Sequence, residues 1–410
     1  MGFYKSKSFL VMILSLFLIC TTFFINVQLN ANKLITPKET NALGVSTPNP
    51  TTVSFDICEN YKNVEPTPKT TQIPIEEQNI QKNIGYQNNK FGLYIYQIDD
   101  FARRASEMIN SNGGDWGYVL VPYNVKDYDS KKWNSFFEVL NQKHLIPIIQ
   151  LWDLSEDPKD AIRDTKKSAK FLNSLNWPIK KRYVSVYNEV NDERFWRGGL
   201  DPKEYARVLN YTIDIYKYEN KDFFMLNGAF NASARNGSGY ISEDEYLRQM
   251  NEEVGGIFKK LDGWASHPYP HINGYLGLPT DTGRDSVRAY EWELNILDNE
   301  YGVKNLPVFI TEAGWPHAEG ENYNSSYVNE DTAAEYLKYA FEKVWLPDDR
   351  VVAITPFTIR YDEPFDHFSF IKKDGSTYKV FDVLKDMPKQ AGIPPVIETH
   401  DPLYKYCNQK

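Results

Sequence analysis

Cysteine is nearly absent from this chain, and no two cysteines stand close together. Only Cys20, Cys58 and Cys407 occur in 410 residues. No C-x-x-C pair exists, which excludes the usual zinc-ribbon and dithiol motifs. Histidine gives no metal spacing on a helix either. His267 and His271 are four apart, but Pro268 and Pro270 lie between them and break any helix. Blocks of positive charge are also missing. The formal net charge is -9, with both signs mixed along the chain, so no basic face argues for nucleic acid. No glycine-rich phosphate loop follows the first strand, which argues against a dinucleotide-binding open sheet. Nothing in the pattern calls for a metal or a cofactor.

Aromatic residues, by contrast, are abundant. They make up 15% of the chain, with 28 Tyr and 9 Trp. Rings of this kind fill cores, and they also stack on apolar faces of ligands.

The N-terminus carries one long uncharged run. Lys5 and Lys7 precede Phe9–Val27, 19 residues long, enough for one membrane-spanning helix. Residues 1–30 read as a signal anchor or a cleaved signal peptide. In both cases the basic start stays in the cytoplasm and the remainder is exported or secreted. The chain would then touch a membrane through this segment only. Residues 31–89 are polar and rich in Pro and Thr, as in Thr47-Pro-Asn-Pro-Thr-Thr52, and read as a partly disordered extracellular spacer. Cys58 and Cys407 are the two exported cysteines, available either as a disulfide or as free thiols.

From Lys90 the chain alternates short apolar strands with amphipathic helices. The strands expected are 91–97, 117–123, 145–152, 183–189, 223–229, 263–267, 307–312 and 351–358. Helices are expected over 130–143, 158–175, 202–218, 286–301 and 331–345. Asp157, Asp201 and Asp285 are expected as their caps at three of these starts. Eight strand–helix units over residues 90–390 describe an α/β fold, a (β/α)8 barrel, with 391–410 as a tail.

In such a barrel the chemistry gathers where strands exit into the following loops. The exits present Trp152 and Asp153, then Asn188 and Glu189, Asn227, His267 and Tyr269, Glu312 and Trp315, and finally Arg360 and Tyr361. Glu189 closes Tyr183-Val-Ser-Val-Tyr-Asn-Glu189, and Glu312 closes Pro307-Val-Phe-Ile-Thr-Glu312. A carboxylate ending a buried strand is costly unless it is paired or used. Two candidate uses follow: an ion pair with Arg194, Arg197 or Arg360, or a pair of catalytic carboxyls. Two carboxyls facing each other are what glycosidic cleavage requires, one as acid and one as nucleophile or base. Trp152, Trp196 and Trp315 are the candidate sugar platforms. Asn227 is a candidate for sugar hydroxyls.

Asn188-Glu189 and Ile310-Thr-Glu-Ala-Gly-Trp315 resemble the two catalytic signatures of the clan A glycoside hydrolases, the cellulase- and β-xylosidase-like retaining barrels. The resemblance extends from about Lys90 to Lys389. It implies Glu189 as acid/base, Glu312 as nucleophile, Asn188 as partner of the sugar 2-OH, and Tyr269 or His267 as support for the nucleophile. The substrate implied is a β-linked oligo- or polysaccharide. Two positions depart from the clan pattern: Phe357 or Tyr361 stands in for the usual eighth-strand Trp, and Val121-Pro-Tyr-Asn124 occupies the second-strand exit. A non-catalytic glycan-binding barrel and a transglycosylase with the same glutamates are the alternatives.

Overall fold

The computed structural model describes residues 88–393, Gly198 excepted. The apolar run Phe9–Val27, the spacer up to Gln87, and both Cys58 and Cys407 lie outside these residues. Among the described residues no helix is long and apolar enough to cross a membrane.

Eight parallel strands alternate with eight α-helices. The strands are β1 (Gly92–Tyr94), β2 (Gly117–Asn124), β3 (Leu145–Trp152), β4 (Arg182–Asn188), β5 (Phe223–Ala229), β6 (Trp264–Ser266), β7 (Val308–Ile310) and β8 (Val351–Ile354). The helices, each following its strand, are α1 (Asp99–Ile109), α2 (Ser130–Gln142), α3 (Pro158–Ser174), α4 (Pro202–Glu219), α5 (Glu243–Glu253), α6 (Ala289–Tyr301), α7 (Glu330–Ala340) and α8 (Lys379–Asp386). Strands β1 to β5 form one continuous parallel ladder and β6 to β8 another. Isolated parallel bridges, Leu226 to Gly263 and Asn231 to His267 at one seam and Phe91 to Ile354 at the other, join the two ladders and close the ring. Closure leaves no sheet edge unpaired.

Strand periodicity explains the two cores. On β2, Tyr118 and Leu120 point into the barrel, while Val119, Val121 and Tyr123 point to the helices. The interior is filled by Tyr94, Tyr118, Ile146, Ile148, Tyr183, Leu226 and Phe309, and so is packed rather than open. Tyr183 lies at the centre, its ring 5.2–6.0 Å from those of Phe224, Phe309 and Tyr118. Crowding at the seam fixes Gly92. A Cβ there would lie 2.8 Å from the carbonyl oxygens of both Ile354 and Tyr118, closer than β1 can tolerate between β8 and β2.

The helix starts follow their caps unevenly. Asp157 accepts from the backbone N–H of Lys159 and Asp160, and Asp201 from that of Glu204, as their positions imply. Asp285 does not cap. It pairs with Arg235 at 2.8 Å, and α6 starts only at Ala289. Helices α1 and α5 lack side-chain cap bonds, although acidic residues fill their first turns, Asp99 and Asp100 in α1 and Glu243, Asp244 and Glu245 in α5. The helix expected to 345 ends at Ala340 and continues as a single π-helical turn, Phe341–Trp345.

The domain is slightly longer at each end than residues 90–390. Asn89 is buried and its amide donates to the Ile109 carbonyl at 3.1 Å. Gly392 donates to the Asp115 carbonyl at 2.7 Å. Both contacts tie the segments flanking the barrel to its floor, opposite the strand exits.

Candidate active site

Strand β3 starts the site. Its inward-facing positions run Ile146, Ile148, Gln150 and Trp152, rising from the interior to the mouth. Gln150 is fully buried, and its side chain bonds to Asn188 and Trp152. Its amide donates to Asn188 Oδ1 at 2.9 Å, and its carbonyl accepts the Trp152 indole N–H at 2.8 Å. It also lies near enough to Glu312 to oppose the rise of that carboxyl. A lone polar residue inside Leu145–Trp152 was the available signal for it, and the list of strand exits passes over it.

Strand β4 delivers the first glutamate through unusual backbone. Tyr187 and Glu189 adopt φ of 75° and 35°, flanking Asn188. Left-handed backbone at a bulky residue costs about 1–3 kcal/mol and persists where the surroundings impose it. Here it turns the chain sharply off the strand and aims Glu189 across the barrel mouth. Glu312 arrives from the opposite side, two residues beyond the end of β7.

The two carboxyls meet around one imidazole. His267, just past β6, places Nδ1 3.1 Å from Glu189 Oε1 and 3.8 Å from Glu312 Oε2. One oxygen of each glutamate and a His267 nitrogen all lie within 4.8 Å of one another. Tyr269 donates its hydroxyl to Glu312 Oε2 at 3.0 Å. All four side chains are buried.

Burial sets the electrostatics. It pushes Glu312 up to about 7; His267, Tyr269 and Gln150 oppose the rise, while Glu189 adds to it. For His267, burial favours the neutral ring, but Glu312, Glu189 and Glu293 together hold it above the usual imidazole value.

The arginine ion pairs do not form. Arg194 binds Asp192, Arg197 binds Glu204 at 2.7 Å, and the Arg360 guanidinium lies over the Phe101 ring. The recorded ion-pair partner of both glutamates is His267. Among the described residues, Glu189, His267 and Glu312 are also the group whose donor atoms could converge on a metal ion. Their mutual hydrogen bonds already engage Nδ1 of the histidine.

The remaining sequence candidates divide. Trp152 stays half-buried at the mouth, its ring edge-on to Phe195. Tyr361 is half-buried against Tyr96, Phe357 and Phe365, close enough for its charge state to feel Glu312. With Tyr94, Tyr275 and Phe368, these rings form an aromatic wall beside Glu312 and Tyr269. Phe357 sits at its centre, touching Tyr94, Tyr361, Phe365 and Phe368.

Asn227 is a correction. It lies within β5, not at its exit, with its amide donating to the Ala265 carbonyl at 3.0 Å and accepting from the Ala265 N–H at 2.8 Å. Both ends of the side chain thus stitch β5 to β6, where the backbone ladder is interrupted, and neither is left for a ligand. Trp315 is a second correction. It is buried against Tyr336, with its indole donating to the Gly277 carbonyl. Trp196, too, is packed away, between Tyr187 and Tyr205, with its indole on Glu204.

No family model matches the chain, and no curated protein matches it. Among solved structures 245 chains match. One is a GH128 (subgroup II) endo-beta-1,3-glucanase from Pseudomonas viridiflava, with 15% identity and a TM-score of 0.46, covering 73% of this chain and 98% of that one. Another is a beta-glucuronidase from Ruminococcus gnavus in complex with D-glucuronic acid, with 13% identity and a TM-score of 0.46, covering 73% and 49%. A third is an uncultured Clostridium sp. beta-glucuronidase, with 10% identity and a TM-score of 0.48, covering 73% and 50%. The chain thus spans about half the length of these glucuronidases.

Proposed function

We propose that the chain is a retaining glycoside hydrolase of the clan A type, acting on β-linked oligo- or polysaccharides through Glu189 and Glu312. The observation that carries this reading is the pairing itself. Two buried carboxyls on opposite strands approach within 4.8 Å at the barrel mouth, with a histidine rather than an arginine between them. Inverting enzymes need about 6.5–9.5 Å between carboxyls to seat a water, whereas retaining enzymes use about 5–5.5 Å. The separation here supports retention.

The mechanism follows in two displacements. The Glu312 carboxylate attacks the anomeric carbon, and the bond from that carbon to the departing oxygen breaks. Glu189 gives its proton to that oxygen. Glu189, now ionised, takes a proton from water, whose oxygen attacks the anomeric carbon and frees Glu312. Tyr269 orients Glu312 by its hydrogen bond at 3.0 Å. Asn188, whose amide oxygen is held by Gln150, has its amide N–H groups to offer a sugar 2-OH. Trp152 and the wall of Phe357 and Tyr361 offer faces for sugar stacking. The apolar run Phe9–Val27 supports a location on the outer face of the membrane or in the medium.

Product analysis by mass spectrometry tests the reading. The chain is incubated with a panel of β-linked oligosaccharides, with Glu312→Gln in parallel. Fragments from wild type alone support hydrolysis, and enlarged products support transfer to a sugar acceptor. Sugar binding without products from either protein contradicts catalysis and favours the glycan-binding barrel.

A further inference from the structure

The rim of this barrel is uneven. Where β1, β2 and β3 exit, the chain reaches the next helix through residues 95–98, 125–129 and 153–157. Where β4 to β8 exit, it runs through 189–201, 230–242, 267–288, 311–329 and 355–378. Strand-to-helix loops usually hold about 2–6 residues, so the first three are ordinary and the last five extended.

The extended loops are bound to one another. From β4 to β5, the Asn191 amide donates to the carbonyls of Asn231 and Ile241, and Asp192 pairs with Tyr240 in an antiparallel bridge. From β5 to β6, Arg284 donates to the Ala232 and Ala234 carbonyls, at 2.8 Å each, and Arg235 pairs with Asp285. From β6 to β7, the Trp315 indole reaches the Gly277 carbonyl. From β7 to β8, the His317 N–H donates to the His367 carbonyl at 2.9 Å. The β6 and β8 loops also meet directly. Asn273, Gly274 and Tyr275 turn the β6 loop through left-handed backbone, with φ of 51°, 69° and 70°. The Tyr275 ring then lies 5.9 Å from that of Tyr269, which holds Glu312, and 5.6 Å from that of Phe368. These loops form a continuous wall from β4 round to β8, and the rim is low from β1 to β3.

The low rim carries a half-buried ring and a polar pair. The Trp152 indole N–H is tied to Gln150, and the adjoining Asp153 carboxylate accepts from the Asn124 amide at 2.6 Å. The two glutamates fix a direction across the mouth. The attacked carbon must lie beside Glu312 and the departing oxygen beside Glu189, so the bond to be cut points from β7 towards β4. The attacked sugar sits on the β7–β8 side against Phe357 and Tyr361, with the wall behind it. The departing chain lies beyond Glu189. There the β4 loop stands with Phe195 edge-on to Trp152, and the low place beside it is β3.

We propose that the site is a pocket with one exit, across Trp152, Asn124 and Asp153, and that it removes the terminal sugar from the non-reducing end of a β-linked chain. The proposal rests on the two-glutamate reading and adds the direction of the chain and the mode of attack. The departing chain stacks on Trp152 and gives a hydroxyl hydrogen bond to Asp153. Water supplies the hydroxyl of the released sugar and the proton of the departing chain.

Reducing-end-labelled pentasaccharides of β-linked glucose, mannose and xylose, incubated with the full chain, test this. Mass spectrometry at early times is expected to show a free monosaccharide and a labelled tetrasaccharide. A first product of two or more free sugars, or labelled fragments of mixed size, overturns the proposal and leaves the hydrolase reading standing. A bulky group on the terminal non-reducing sugar is expected to abolish cleavage, and capped chains cut as fast as uncapped ones also overturn it. No cleavage of any probe removes the hydrolase reading and the proposal with it. Trp152→Ala is expected to raise KM for the cleaved pentasaccharide about tenfold, with kcat nearly unchanged. Trp152→Phe is expected to restore most of that loss, because it keeps a ring without the indole bond to Gln150. An unchanged KM in Trp152→Ala overturns the assigned exit. If that variant does not fold, the products of the wild-type chain decide.

Discussion

The Tyr269 hydroxyl lies 3.0 Å from Oε2 of Glu312, and both groups are buried. A hydroxyl donated to a carboxylate favours the ionised form, the form a nucleophile needs. A hydrogen bond to a charged group is worth about 1.5–3 kcal/mol. Tyr269→Phe is therefore expected to lower kcat by about 10- to 100-fold, with little change in thermal stability. Steady-state kinetics beside a melting curve check this. An unchanged kcat would remove Tyr269 from the mechanism.

Glu189→Gln and Glu312→Gln are expected to differ in kind. Each lowers turnover by about 10³-fold or more on ordinary substrates. Glu189→Gln recovers its first step on substrates whose leaving group needs no proton, such as aryl glycosides with acidic phenols, whereas Glu312→Gln does not. Burst kinetics on such substrates make the distinction. A rescue seen in Glu312→Gln would exchange the two roles.

Cleavage is expected to rise as pH rises through about 7. Burial, with Glu189 opposite, holds a proton on Glu312 to about 7. A nucleophile attacks as the carboxylate, so the protonated form of Glu312 does not react. The ascending limb of kcat/KM against pH therefore has its midpoint near 7. A profile flat between pH 5 and pH 8 would separate this proton from the chemistry.

Stability carries the opposite sign. A carboxyl raised by burial binds a proton more tightly when folded than when unfolded. Its penalty is absent below the unfolded value and grows as pH rises towards the folded one. Glu293 and Glu312 both reach about 7. The melting temperature is expected to fall between pH 5 and pH 7.5, and to fall less in Glu293→Gln. Calorimetry at the two pH values measures it, and an equal fall in both proteins would contradict the burial of an ionising Glu293.

The architecture and the placing of Glu189 and Glu312 at strand exits were legible because each is written in a local pattern. Apolar runs ending in Asn188-Glu189 and Thr311-Glu312 mark strand exits without any knowledge of their neighbours. Gln150 was not legible in the same way. Its importance comes from Asn188, 38 positions away, and from Glu312, which no local pattern links to it. Asn227 was misread as an exit residue, although the expected strand, 223–229, has the observed bounds. Β5 runs on to Ala229, and the amide replaces backbone pairing to β6 instead of reaching the mouth. Trp196 and Trp315 were read as exposed platforms because they follow strand exits, but their indoles find partners on Glu204 and Gly277. Glu243 and Glu293 resemble wet-face residues by composition, and only the phase of the apolar stripe puts them inside.

Trapping the covalent intermediate tests the account most directly. The protein is incubated with a panel of 2-deoxy-2-fluoro β-glycosides carrying good leaving groups, then digested and mapped by mass spectrometry. The account predicts one added glycosyl group, attached to Glu312, and none in Glu312→Gln. A glycosyl group on Glu189, or turnover of the parent sugar with inverted configuration and no adduct, would contradict it.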